Sequence, residues 1–287
     1  MKTFRLIGAG LFAFLFSFIV IACGDDKKED IIEPTPIPTP STGKRLAKIV
    51  DEYNYYSING TEEEERELET YILDYDNQGR LVSIIEYEDE EIDEQYTIKY
   101  FKDSITCTCI EEDSREILTF KLFDGKIILK TDTYKEYGYE QSTQTSIYAY
   151  NSSNYLNEIT EKSGGTTFTW LDNKLINLDI HYIGIYSFEG SHSFEYDEKT
   201  CEGYNPALVL LLRSKMEISG LLPFIANPEL VGLKTNQLPK AIVHHSDDGK
   251  IRNLTYELDN DGYLTKCVAT KKYDDGYSYT TYTFTWE

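Results

Sequence analysis

The sequence has little positive charge for its length. Its 287 residues include 28 Lys and Arg against 50 Asp and Glu, which gives a formal net charge of −22. Binding to nucleic-acid phosphates requires clustered Lys and Arg, and the sequence contains no basic stripe. Nucleic acid is therefore excluded as a partner, and so is adsorption to anionic lipid head groups through a polybasic patch.

The sequence also lacks the common catalytic and cofactor motifs. It contains no HExxH, GxSxG, P-loop or GxGxxG pattern, so it predicts no catalytic residue and no cofactor. The segments 74–79 and 259–262 have the alternating carboxylates of a calcium loop. However, Ile85 and Val268 stand where such a loop needs a bidentate Glu, so the sequence predicts hairpin turns there and no metal site.

Cysteine is scarce, and only one of the five cysteines lies near the N-terminus. The other four are Cys107, Cys109, Cys201 and Cys267. Cys107 and Cys109 are two residues apart on a predicted strand, so they share a face and should not bond to each other. Export would permit disulfides to Cys201 or Cys267, but buried free thiols are the simpler interpretation.

The N-terminus has the pattern of a bacterial lipoprotein signal. Two basic residues precede an apolar run from Leu6 to Ala22, which is nearly long enough for a transmembrane helix. The run ends in 20–23, Val-Ile-Ala-Cys, which resembles the lipobox at which Cys23 is diacylated and becomes the new N-terminus. We expect residues 1–22 to be removed and the protein to be held in the membrane by lipid on Cys23.

The next segment, 23–43, is predicted to be a tether. It is acidic after Cys23 and then carries four prolines between 34 and 40. Such a segment buries nothing and favours an extended chain of ~3.1 Å per residue. The acidic start resembles the export signal of surface lipoproteins in Bacteroidetes, so we expect a location on the outer membrane, facing the cell exterior.

The sequence predicts that residues 44–287 form a single antiparallel β domain. The 24 tyrosines and 13 phenylalanines favour strands and supply a core. A short motif recurs in which an aromatic residue or Leu precedes Asp or Asn, and a Gly and a Leu or Ile follow, as in 75–81 and 258–264. Each copy is a hairpin signal, because Asp, Asn and Gly tolerate positive φ. We expect 14 to 17 strands, curled or closed into a barrel-like sheet because open edges invite aggregation.

One stretch, near 205–232, departs from the hairpin pattern. Asn205 and Pro206 predict a capped helix start, and Asn227 and Pro228 predict a second, shorter one. The six residues from Ala207 to Leu212 are apolar on all sides of a helix. We therefore expect this insertion to close one end of the β structure and complete its core.

These features together resemble a family of uncharacterised Bacteroides surface lipoproteins. The resemblance rests on the lipoprotein signal, the Pro/Thr tether, the Tyr-Asp-x-x-Gly-Arg-Leu hairpin at 75–81, the Asn-Gln-Leu-Pro-Lys lead-in at 236–240 and the aromatic C-terminal strand at 281–287. It covers about residues 44–287 and implies a porin-like β-meander fold of unknown activity. A membrane-spanning barrel is disfavoured, since the predicted strand 116–121 carries charge on both faces.

Two functions of different classes remain open. The first is a module that binds an extracellular glycan, peptide or host ligand through tyrosines, which offer a stacking face and a hydroxyl. The alternative is a hydrolase with a carboxylate pair in a barrel mouth, which would be recognised by two converging, desolvated carboxyls. The tyrosine clusters that motivate the first are Tyr53, Tyr55 and Tyr56; Tyr134, Tyr137 and Tyr139; and Tyr277, Tyr279 and Tyr282.

Overall fold

The computed structural model describes residues 43–57, 63–110, 114–182, 188–215, 220–245, 251–274 and 276–287. The predicted signal segment, Cys23 and all of the predicted tether but its last residue lie outside these ranges. The hairpin motif at 246–250 also lies outside them.

The described residues form a closed barrel of sixteen antiparallel strands. Each strand pairs with its neighbours in sequence, and β16 pairs with β1 to close the cylinder, so no edge strand is left. The prediction of an antiparallel meander, curled or closed into a barrel-like sheet, is confirmed, and the structure shows that the sheet closes. The strands are β1 (Leu46–Ser57), β2 (Glu63–Tyr75), β3 (Leu81–Glu88), β4 (Glu91–Tyr100), β5 (Ser104–Ile110), β6 (Ser114–Phe123), β7 (Lys126–Glu136), β8 (Ser142–Tyr150), β9 (Leu156–Glu161), β10 (Gly164–Leu171), β11 (Lys174–Tyr182), β12 (Phe188–Thr200), β13 (Gln237–His244), β14 (Ile251–Leu258), β15 (Leu264–Lys272) and β16 (Gly276–Trp286).

The alternation along each strand places apolar side chains inside the barrel and polar ones outside. On β16, Tyr282 and Phe284 are buried in the core while Thr283 and Thr285 are exposed, as the sequence predicts. The outer face elsewhere is also polar, with Lys99 and Lys121 among its exposed residues. The apolar core therefore lies within the cylinder.

Two-residue turns with positive φ occur at both ends of the barrel, and Asp89 and Glu90 form one of them between β3 and β4. We call the end where β1 begins and β16 finishes the plug end, and the opposite end the far end. At the plug end, Asp124 and Gly125 both adopt positive φ, as do Asp172 and Asn173 in another two-residue turn. The predicted hairpin after Tyr273 also joins two strands, but it lies at the far end.

A ring of aromatic side chains links neighbouring strands, and Tyr75, which opens one copy of the hairpin motif, belongs to it. Seven of the eight even-numbered strands carry near their ends an aromatic side chain that donates a hydrogen bond to a carbonyl near the start of the preceding strand. The chain kinks locally at most of these sites through a register shift in the ladder. The exception is β6, which ends in the exposed Phe123. These hydrogen bonds are 2.6–3.0 Å long and run from Tyr75 to Leu46, Tyr100 to Leu81, Tyr150 to Ile127, Trp170 to Leu156, Tyr196 to Leu175, Tyr256 to Pro239 and Trp286 to Leu264.

The insertion between β12 and β13 fills the plug half of the barrel. Its helix α1 (Pro206–Lys215) is followed by two 3₁₀ helices, Leu222–Phe224 and Pro228–Val231. The side chain of Asn205 accepts a 3.3 Å hydrogen bond from the Leu208 amide, so the predicted cap is confirmed. Asn227 precedes the second 3₁₀ helix, but its side chain does not cap it.

Burial shows that the insertion completes the core. All six residues from Ala207 to Leu212 are at most 2% exposed, and the Phe224 ring packs edge-on against Phe120 of β6 at 4.7 Å. The expectation that this segment plugs one end is therefore confirmed. No helix in the described part of the chain is long and apolar enough to cross a membrane.

Candidate functional site

Two of the three predicted tyrosine clusters meet at the far end of the barrel. Tyr56 of β1 stacks on Tyr277 of β16 at 5.3 Å, and Tyr279 contacts both rings edge-on. These three side chains lie on the outer face, because their strand neighbours Tyr55 and Ser278 point inward. We call Tyr56, Tyr277 and Tyr279 the tyrosine platform.

The remaining predicted tyrosines do not belong to the platform. Tyr134, Tyr137 and Tyr139 are exposed around the β7–β8 turn, on the opposite side of the barrel from β16. Tyr282 is fully buried in the core and Tyr53 faces the interior, so neither presents a ring to the outside. The sequence clusters therefore divide into a platform, a separate exposed group and core residues.

The interior wall carries charged groups that sequence reasoning missed. Glu86 of β3 is only 5% exposed, and Arg213 at the end of α1 lies 3.5 Å from its carboxylate. Arg213 also donates a 2.8 Å hydrogen bond to the Tyr71 hydroxyl on β2. Burial raises the pKa of Glu86 to about 7, although the nearby Arg213 acts in the opposite direction.

Two further carboxylates stand beside Glu86. Glu94 lies directly opposite it on β4, and Glu69 accepts a hydrogen bond from Tyr71. The negative charges of Glu94 and Glu69 add to the increase in the pKa of Glu86. Of these three carboxylates, Glu86 is the one that is buried, while Glu94 and Glu69 are partly exposed. In the sequence, Glu86 stands two residues after Ile84, at a position where the alternation along β3 would place an apolar residue. That this position faces the interior can be seen only once the strand register is known.

A buried arginine lies elsewhere on the interior wall, five strands around the barrel from Glu86. Arg252 of β14 points inward and is 8% exposed, and its Nη1 has no hydrogen-bond partner among the described residues. Burial lowers the pKa of Arg252, while Tyr282 and Tyr273 raise it. His192 and His244 are buried nearby, with their rings in edge-to-face contact at 4.3 Å. His245, by contrast, is exposed, so the two adjacent histidines face opposite sides as predicted.

The described residues form a cavity at each end of the barrel, and neither of these two is lined by the platform or by Glu86. The first, of about 370 Å³, lies at the plug end between the β6–β7 turn, the β8–β9 turn and the insertion. The second, of about 460 Å³, is a shallower hollow at the far end beside His181, Glu189 and His245. These two cavities are therefore separate from the buried pair of Glu86 and Arg213.

The calcium-like segments are turns. The Asp76 carboxylate accepts hydrogen bonds from the amides of Gln78 and Arg80 and pairs with the Arg80 guanidinium at 2.6 Å. Burial raises the pKa of Asp76, but these bonds outweigh it and leave the pKa below its usual value. Asp259 forms the corresponding turn. The described residues contain no group of three potential metal ligands.

The four cysteines of the barrel are buried and form no disulfide. Cys107 and Cys109 both face the interior from β5, as their spacing predicts. Burial raises the pKa of the Cys201 and Cys267 thiols to about 12. These thiols are therefore protonated and unreactive.

The fold is shared with porin-like proteins of Bacteroides. A porin-like protein from Bacteroides uniformis matches with a TM-score of 0.62 at 20% identity, covering 84% of this chain and 98% of its own. A porin-like protein from Bacteroides vulgatus matches with a TM-score of 0.54 at 15% identity, covering 85% and 99%. No protein-family model matches the sequence, and no curated protein matches it. The likeness shows the fold alone.

Proposed function

We propose that this protein is a lipid-anchored module of the outer membrane that binds an extracellular glycan, peptide or host ligand on the tyrosine platform. The observation that carries this proposal is the contiguous group of three tyrosine rings in mutual contact on the outer face of β1 and β16. Such rings combine a stacking face with a hydroxyl, which suits sugars and extended peptides.

The polarity of the barrel supports attachment by a lipid rather than by insertion of the strands. A membrane-spanning barrel presents an apolar band to lipid and a polar interior. Here the apolar core lies inside, and charged residues such as Lys99, Lys121 and Glu195 are exposed on the outer face. We propose that the barrel stands in water and that Cys23 provides the membrane attachment.

The position of the first strand fits an anchor at the plug end. The backbones of Arg45 and Glu287 exchange two hydrogen bonds of 2.7 and 2.9 Å, and Lys44 pairs with Asp259 at 2.8 Å. A tether that precedes Lys44 joins the barrel there, so the platform at the far end is remote from the point of attachment.

The platform is tested by a glycan and peptide array probed with the full-length chain. We expect saturable binding that Tyr279→Ala or Tyr56→Ala weakens at least tenfold, because each change removes a stacking face. Tyr87→Ala removes a tyrosine from β3, outside the platform, and should bind like wild type. Absence of binding throughout both libraries would refute the proposal.

The anchor is tested separately by Cys23→Ser. We expect the variant to lose acyl labelling and to leave the membrane fraction, because its thiol is the proposed acylation site. Acyl labelling and membrane fractionation equal to wild type would refute the lipoprotein assignment.

A carboxylate-dependent hydrolase of surface glycans is the second candidate. It is favoured by Glu86, whose raised pKa would suit a general acid beside the Glu94 carboxylate. Against it, Arg213 occupies the adjacent space, and neither of the two cavities reaches the pair. Hydrolysis of chromogenic glycosides that is abolished by Glu86→Gln, but not by Glu158→Gln on the outer face, would support this function.

A further inference from the structure

We propose that the cavity at the plug end is a second binding site, separate from the tyrosine platform, and that its ligand is a neutral saccharide. Its volume of about 370 Å³ falls within the ~300–1,000 Å³ of small-molecule pockets. Three segments far apart in sequence form it: the turn at 124–126, the turn at 153–155 and the insertion at 227–234.

An immobilised aromatic ring forms one wall of the cavity. Tyr155 stacks on Trp170 with ring centroids 4.7 Å apart, and its hydroxyl donates a 2.6 Å hydrogen bond to Asn173. Trp170 is in turn fixed by its bond to the Leu156 carbonyl. Because the ring is held from one face and at its tip, it can stack against a sugar with little loss of side-chain entropy.

The backbone around the ring is equally fixed. The Asn151 side chain accepts hydrogen bonds from the amides of Ser153 and Tyr155, in the same arrangement as the Asp76 and Asp259 turns. On the insertion side, the Gly232 carbonyl accepts a 3.0 Å bond from the Leu156 amide. The turn and the insertion are therefore joined directly, and the cavity is formed before any ligand enters.

The polar groups of the cavity match a polyhydroxylated ligand. Asn154 and Asn227 supply amides that can donate and accept, and Ser153 supplies a hydroxyl. The Asn227 side chain is not used to cap the helix that follows it. Adjacent sugar hydroxyls each donate and accept, so mixed amide and hydroxyl groups beside an aromatic wall are the complementary surface.

Charge balance argues for a neutral ligand. Two lysines and two carboxylates line the cavity, and Lys234 already pairs with Glu229 at 3.0 Å. Lys126 donates a 2.5 Å hydrogen bond to the Glu229 carbonyl, and burial lowers its pKa. An anionic ligand would be repelled by Asp124 and Glu229 as well as attracted by the lysines. A phosphate or sulfate would therefore gain little electrostatic binding energy in this cavity.

The test measures binding of the methyl glycosides of glucose, galactose, mannose and N-acetylglucosamine to the full-length chain by ligand-observed NMR and calorimetry, with inorganic phosphate as the anionic probe. We expect at least one glycoside to bind. Tyr155→Leu and Asn227→Ala should each weaken it at least tenfold. The controls Tyr279→Ala, on the platform, and Asn253→Ala, on the outer face of β14, should leave it unchanged.

Three outcomes would overturn this proposal. One is binding of none of the four glycosides, and another is binding of phosphate alone. The third is glycoside binding that Tyr279→Ala abolishes and Tyr155→Leu does not, which would assign the sugar to the platform and leave the proposed function standing. Circular dichroism of each variant confirms that the barrel is intact.

Discussion

The guanidinium of Arg213 donates a 2.8 Å hydrogen bond to the hydroxyl of Tyr71, which lies 142 residues earlier in the chain. Arg213 is the first charged residue after the apolar turns of α1, and Tyr71 is fully buried on the inner face of β2. The bond therefore joins the end of the plug to the barrel wall. Glu86 on the adjacent strand completes this junction.

The plug should be essential for stability. Leu211 is fully buried within α1, so Leu211→Asp places a carboxylate in an apolar core and should lower the free energy of unfolding by at least about 3 kcal/mol. Ile147→Asp is the matched control, because Ile147 is 55% exposed on the outer face of β8. Chemical denaturation measures both. A wild-type transition for Leu211→Asp would mean that the segment is a mobile lid or an exposed docking surface.

The junction of plug and wall should behave as a coupled pair. Arg213→Met leaves Glu86 buried without its cation and should cost about 3 kcal/mol, the lower end for a broken buried pair, because Glu86 can take up a proton. The double variant Arg213→Met/Glu86→Gln should recover much of that loss. Denaturation of the wild type, the two single variants and the double variant at about pH 8, where Glu86 of the wild type is charged, gives the coupling free energy. Additive single effects would show that the two side chains do not interact.

The stability of the barrel should fall as the pH rises from about 4.5 to about 7. The pKa of Glu86 is about 7 in the folded chain against a usual value of 4.5, so within this window the folded state holds a proton that the unfolded state has released. The unfolding free energy therefore decreases with pH, by up to about 3 kcal/mol from this group.

Glu86→Gln isolates this contribution, because it removes the titrating group and preserves the shape of the side chain. We expect the difference in unfolding free energy between wild type and Glu86→Gln to change across the window, whereas Glu158→Gln on the outer face should track wild type. Parallel pH profiles for wild type and Glu86→Gln would show that Glu86 titrates at its usual pKa.

Alanine substitutions at two glycines distinguish the cost of backbone strain from the cost of a steric clash. Gly232 and Gly125 have φ of +66° and +71°, but a Cβ on Gly232 would lie 2.6 Å from the Leu156 amide nitrogen, whereas one on Gly125 would meet nothing within 4 Å. Gly125→Ala should therefore cost about 1 kcal/mol. Gly232→Ala should cost about 1–3 kcal/mol more, because the insertion must move away from β9. Equal losses in thermal denaturation would contradict this close approach.

The local chemistry of the turns could be predicted from the sequence. Asp76, Asn151 and Asp259 each bond the amides two and four residues ahead, which requires only the residues of the turn itself. The buried helix after Asn205 was equally predictable, since an apolar run without alternation cannot remain in water. The role of the motif's leading aromatic residue in bonding the preceding strand was not predictable, because its acceptor is set by strand register.

The sequence by itself determined the strand periodicity, the positions of the turns and the burial of the insertion, because each depends on φ/ψ preferences and on hydrophobicity over a few residues. Only the tertiary structure decided that sixteen strands close, that Glu86 faces Arg213, and that the turns at 124–126 and 153–155 meet the insertion to form a cavity. These arrangements depend on contacts between residues distant in the chain. Their pairing is selected by packing and register over the whole barrel, which no local pattern specifies.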